Sequence, residues 1–143
     1  MIKNLLAMFL AALGAVIIDQ STKQLILDGY RYYGDCIDLI LVYNKGVAFS
    51  MFAFLQEWLK WIQIAMLVAV FVYVIRLNRS YFSVPVGLLL GAGASNIYDR
   101  FAHGGVVDMV YWHCGFDFAV FNGADVIIDL AVVWIVILNY KKG

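Results

Sequence analysis

Charge is scarce in this chain, and its scarcity excludes most soluble folds. Charged residues make up 14% and hydrophobic residues 64% of the 143 positions, against about 25% and about 45–50% in an ordinary soluble domain. With a mean hydropathy of +0.86, the chain reads as an integral membrane protein. A single proline, no Ser/Gly-rich stretch, no internal repeat and no low-complexity run leave no place for a linker. Residues 1–143 are therefore expected to form one membrane domain with no soluble domain appended. Metal-binding patterns are missing too. There is no His-Glu-x-x-His helix, and His103, His113 and Cys114 match no common ligand spacing, so neither a metal nor another cofactor is expected. Only two cysteines are present, Cys36 and Cys114. Far apart and in no motif, they are expected to be unpaired small residues, although a disulfide would be permitted if both lie on the outer side.

The formal charge is zero, but it is distributed unevenly. Lys3, Arg76, Arg79, Lys141 and Lys142 occupy short segments without any acid. The positive-inside rule makes those segments cytoplasmic, which requires an even number of crossings and places both termini inside. Four spans follow, at about 4–25, 58–75, 82–99 and 122–140. Lys3 and the apolar run after it could pass for a secretory signal peptide. No clear Ala-x-Ala end follows, so this segment is expected to remain as span one. Only fifteen residues separate Lys3 from Asp19, about 22 Å of helix against a hydrocarbon core of about 30 Å. Asp19 thus lies at or within the membrane edge. Lys23, one turn further on, is placed to pair with it while snorkelling outward.

Residues 28–57 mix aromatics, glycines and charges, and 36–43 is rich in β-branched and aromatic residues between turn signals. This region reads as a small extracytoplasmic sheet lying on the membrane surface. Span three carries Gly87, Gly91 and Gly93, small residues that permit close helix packing. It ends in Asn96, Asp99, Arg100 and His103, spaced i, i+3, i+4, i+7 on one face. Span four opens with Asn122, Asp125 and Asp129 on one face. Because span three ends outside and span four begins outside, the two polar stripes share a depth, and the connection between them brings Asp108 within reach of Asp125. Carboxylates near lipid cost about 2.5–3.5 kcal/mol each on insertion scales. Two at one depth suggest acid/base chemistry. Tryptophans and tyrosines read as interfacial belts, not as a nucleic-acid platform.

Five blocks sharpen this reading: Asp19-Gln-Ser-Thr-Lys23, Asn44-Lys-Gly46-Val-Ala48-Phe49-Ser50, Asn96-Ile-Tyr-Asp99-Arg100, Gly104-Gly-Val-Val-Asp108 and Phe121-Asn122-Gly-Ala124-Asp125. In this order, over most of the chain, they resemble the signal peptidase II (lipoprotein signal peptidase) family, aspartyl proteases of bacterial cytoplasmic membranes. The resemblance implies four transmembrane helices with a small extracytoplasmic β-cradle and an outer loop. It also implies Asp108 and Asp125 as the catalytic pair, with Asp19, Lys23, Asn44, Gly46, Asn96, Asp99, Arg100 and Asn122 supporting the site or touching substrate. The implied substrate is a prolipoprotein whose cysteine carries a diacylglyceryl group, cut on the amino side of that cysteine. The implied partners are this lipid-modified signal peptide and membrane lipid, with no nucleic acid, and the enzyme is expected to be a monomer. Its implied location is the bacterial cytoplasmic (inner) membrane, with the site towards the outer face and the sheet covering the peptide. Ser95, Met109 and Ala119 depart from the family's usual glycine, phenylalanine and proline; none of the three is a reacting group.

The chemistry stands apart from the resemblance. Amide hydrolysis needs a water deprotonated as it attacks and a proton delivered to the leaving nitrogen, and two carboxyls sharing one proton supply both. Like-charge repulsion separates their macroscopic titrations, so the singly protonated pair dominates over a wide pH interval and neither residue owns the proton. Asn44, Asn96, Asn122 and Arg100 are candidate donors to the scissile carbonyl. Other roles stay open. Asp19 and Lys23 could fix the end of span one, Asn44 and Gly46 could form a turn, and Asn122 could cap span four while touching the site. Asp129 could hold a proton or pair with Lys23. Two rival functions also fit intramembrane charges: a small transporter, although those more often place their sites at the midplane, and a noncatalytic protein that binds signal helices.

Overall fold

The computed structural model describes residues 1–46, 51–55 and 57–142. Four helices carry the architecture: α1 (Ile2–Leu27), α2 (Glu57–Leu77), α3 (Ser83–His103) and α4 (Gly123–Lys142). Three short strands complete it: β1 (Tyr32–Tyr33), β2 (Ile37–Asn44) and β3 (Val106–Trp112).

Burial is inverted relative to a soluble bundle. Leu6, Phe9, Ile17, Met66 and Leu130 are exposed, whereas Asp19, Lys23, Asp99 and Asn122 are fully buried. An apolar exterior around a polar interior is the arrangement that a lipid solvent favours, because charged side chains in a bilayer turn towards one another. Among the described residues α1, α2 and α4 are long and apolar enough to cross a membrane. The protein is therefore a mostly helical integral membrane protein. Of the four expected spans, α3 is the one that does not meet this standard, and the reason lies in its surroundings. It is the central helix, packed against α1, α2 and α4, and its Ser95, Asn96, Asp99 and Arg100 are buried against protein.

Small residues bring that centre together. A Cβ on Gly87 would lie 2.3 Å from the Met8 carbonyl oxygen, and one on Gly91 would lie 2.2 Å from that of Ala12. The backbones of α1 and α3 therefore touch along a glycine face with i, i+4 spacing. The single proline, Pro85, falls in the first turn of α3, where a missing backbone N–H costs nothing. Gly104 ends α3 in the left-handed conformation, with φ of 72°, which a residue without Cβ adopts freely. The chain then turns directly into β3.

The sheet runs β1-β2-β3, antiparallel throughout. Val42 pairs with Asp108 and Asn44 with Val106, with an irregularity between Leu39 and Val42. At the far end Ile37 pairs with Trp112, and this register brings the flanking Cys36 and Cys114 together in a disulfide. The expectation of unpaired thiols is thereby corrected. Their 78-residue separation is closed by strand pairing that no local spacing reveals. After Trp112 the chain folds back, and Phe121 pairs with Val110. The next residue, Asn122, is delivered beside Asp108.

Candidate active site

A fully buried lysine lies at the base of the polar cluster. Lys23 Nζ is 2.5 Å from Asp19 Oδ2 and 2.6 Å from Asp99 Oδ2, and donates to Asn96 Oδ1 at 2.9 Å. The expected outward-snorkelling lysine is thus corrected, because α3 covers this face of α1 and supplies a second carboxylate. Both acids also accept backbone hydrogen bonds. Asp19 Oδ1 takes the Ala124 amide at 2.7 Å, and Asp99 Oδ2 takes the Val107 amide at 3.1 Å. Ser95, in place of the glycine usual in the resembling family, donates to Asp19 Oδ2 at 2.6 Å and accepts from Gln20. Gln20 in turn donates to Asp99 Oδ1. One network therefore joins α1 to α3 and holds the starts of both β3 and α4.

Asp108 and Asp125 line one cavity of about 440 Å³, together with Asn44, Asn96, Arg100 and Asp129. The asparagines aim both carboxyls. Asn122 donates from Nδ2 to Asp108 Oδ1 at 2.8 Å, and its backbone N–H donates to Asp125 Oδ2 at 3.0 Å. The Asp125 amide returns a bond to Asn122 Oδ1 at 2.9 Å, so the reciprocal cap at the start of α4 also fixes the second acid. Asn96 Nδ2 donates to Asp125 Oδ1 at 3.1 Å, and Asn44 Nδ2 to Asp108 Oδ2 at 3.0 Å. Asn44 does two things at once, since its Oδ1 also accepts the Gly46 amide in a tight turn. Burial pushes the Asp108 carboxyl up to about 6; the Asn44 amide pulls it back, the Asp125 charge raises it again, and Asn122 and Lys23 oppose. Such a group changes protonation near neutrality, as acid/base work requires.

Arg100 is held by protein. Its Nε donates to Gln63 at 2.9 Å, and its terminal nitrogens reach the Lys45 and Gly46 carbonyls. It therefore pins the end of β2 over the cavity. Val47–Ser50, the remainder of that expected block and of the expected covering segment, lie outside the described residues. Asp129 does not meet Lys23, whose carboxylate partners are Asp19 and Asp99. Gln63, which also lines the cavity, escaped the sequence reading, although a lone amide in an otherwise apolar stretch of α2 was the signal available.

Comparison with known proteins decides the family. Residues 11–141 match the family described as signal peptidase (SPase) II. The chain belongs to that family. A protein of Sulfurimonas denitrificans named lipoprotein signal peptidase is 65% identical over 140 residues, covering 98% of this chain and 92% of its own. Another of that name, from a Sulfurovum species, is 56% identical over 134 residues, covering 92% and 90%. Two solved bacterial membrane enzymes share the fold. One has a TM-score of 0.82 at 26% identity, covering 94% of this chain and 87% of its own; the other has 0.78 at 27%, covering 95% and 94%. Four of the five blocks quoted from the sequence contribute described residues to the cavity wall: Asn44 and Gly46, Asn96 and Arg100, Val106 and Asp108, and Phe121 and Asp125.

Proposed function

We propose that this chain is an aspartic endopeptidase that removes the signal peptide from diacylglyceryl-modified prolipoproteins by cutting on the amino side of the lipidated cysteine. The observation that carries the reading is the pair Asp108 and Asp125, on two different elements, tied to the same Asn122 and facing the same cavity. A water between them loses a proton to one carboxyl while the other protonates the departing nitrogen. The asparagines fix the oxygens before substrate arrives, which spares reorganisation during the reaction.

The membrane arrangement follows from charge. Lys3, Arg76, Arg79, Lys141 and Lys142 mark the helix ends opposite the sheet, which supports a topology with both termini in the cytoplasm and the site towards the outer face of the bacterial cytoplasmic membrane. A disulfide at the far end of the sheet fits the oxidising side. In this topology α3 is the fourth crossing, sheltered from lipid by the other three. Residues 1–143 act as one domain and as a monomer. The signal helix enters sideways from the bilayer, and its acyl chains remain in lipid.

Mass spectrometry of a defined diacylglyceryl-modified precursor incubated with purified protein tests the reading. A product beginning with the lipid-bearing cysteine is expected; an uncut precursor would refute it.

A further inference from the structure

One acid in the cavity has no task in the mechanism. Asp129 lines the same cavity as Asp108 and Asp125, is exposed, and among the described residues engages no hydrogen bond or ion pair. Its neighbours on that wall of α4, Val126 and Ile128, are apolar. The buried lysine that would neutralise it is already occupied by Asp19 and Asp99. A carboxylate kept unpaired on an intramembrane wall is costly unless something that enters the cavity satisfies it.

Its depth indicates what that is. Asp129 follows Asp125 by one helical turn, so it sits about 6 Å further along α4 from the site towards the basic end. An extended peptide advances about 3.3 Å per residue. With the bond to be cut at the dyad and the signal segment running down into the bilayer, Asp129 meets the second residue on the amino side of the cut. A carboxylate accepts hydrogen bonds, and in apolar surroundings the partner that is cheapest to bring in is a small neutral donor.

We propose that Asp129 is a specificity-determining residue that selects signal peptides carrying a serine or threonine hydroxyl about two residues before the cleaved bond. The inference rests on the endopeptidase reading above. The hydroxyl donates to the Asp129 carboxylate, and an aliphatic residue at the same place leaves that acid unsatisfied in the substrate complex.

The test compares two diacylglyceryl-modified precursors that differ only by serine or alanine at that position, cleaved by wild-type protein, Asp129→Leu and Asp129→Asn. The readout is the ratio of the two kcat/KM values, which cancels any general loss of activity. Wild-type protein is expected to favour the serine precursor by about tenfold, the scale of one hydrogen bond to a charged group. The leucine variant should lower the ratio to about one, and the asparagine variant, which keeps an acceptor oxygen, should fall between. A ratio near one for wild-type protein, or an equal ratio in wild-type and leucine variant, overturns the inference alone. Failure of wild-type protein to cut either precursor overturns the endopeptidase reading, and the inference falls with it.

Discussion

Asp19 on α1 and Asp99 on α3 perform matching tasks on opposite sides of Lys23. Each pairs with its ammonium, and each accepts the backbone amide of the residue immediately before a candidate catalytic acid: Ala124 before Asp125, Val107 before Asp108. The spacing of the two acids is thus set from below, by a charge triad that touches neither carboxyl directly.

Breaking the triad should be severe. Lys23→Met leaves two carboxylates buried without their cation, a loss of about 3–5 kcal/mol by analogy with other broken buried pairs. Lys60→Gln, which removes an ion pair to the exposed Glu57 and a cation–π contact with Phe101 at 4.8 Å, should cost at most about 2 kcal/mol. Thermal unfolding of both variants in the same detergent checks the contrast, and equal melting temperatures would remove the triad from its structural role.

Asp108 gives a prediction with a definite sign. Its folded-state titration near 6 lies above the ordinary value of 3.8, so the folded state holds this proton more tightly than the unfolded state does. The stability associated with it is complete below about 4 and is lost as pH rises through about 6. Asp108→Asn has no proton to lose. Its stability relative to wild-type protein should therefore rise by about 1–3 kcal/mol between pH 4 and 7 and then level off. Unfolding midpoints across that range measure it, and a flat difference contradicts the burial of this carboxyl.

How much of this was legible in the sequence depends on the range of the interactions. The helices and the polar stripes on α3 and α4 are periodic local signals, and the acids stand out because lipid tolerates few of them. The triad was only half visible. Asp19 and Lys23 are one turn apart, but Asp99 joins them across 76 residues of chain, so the lysine looked like a surface partner. The disulfide was hidden for the same reason, because only the pairing of Ile37 with Trp112 places the two cysteines opposite each other. The polar end of α3 suits a helix surrounded by protein, and packing against α1, α2 and α4 is again a long-range relationship.

Packing of α1 on α3 should be sensitive to any side chain added at its glycine face. Gly91→Leu drives a side chain into the Ala12 backbone and should cost at least about 1–3 kcal/mol, the usual range for overpacking. Gly14, which has open space around it, should accept alanine with no loss and a gain of up to about 1 kcal/mol. Melting temperatures of the two variants decide it.

The disulfide closes the end of the sheet away from the site. Alkylation of the native protein should leave Cys36 and Cys114 unlabelled until a reductant is added, and Cys36→Ser should lower stability by about 2–4 kcal/mol. Labelling without reductant would contradict the bond.

The most direct measurement of the central claim is the single-turnover rate of precursor cleavage by wild-type protein, Asp108→Asn, Asp125→Asn and the double variant. Two acids acting as one unit on one water predict that each single change lowers the rate by about 10³-fold or more and that the double change lowers it little further. A single variant that retains about a tenth of the wild-type rate, or losses that multiply in the double variant, would contradict a shared site.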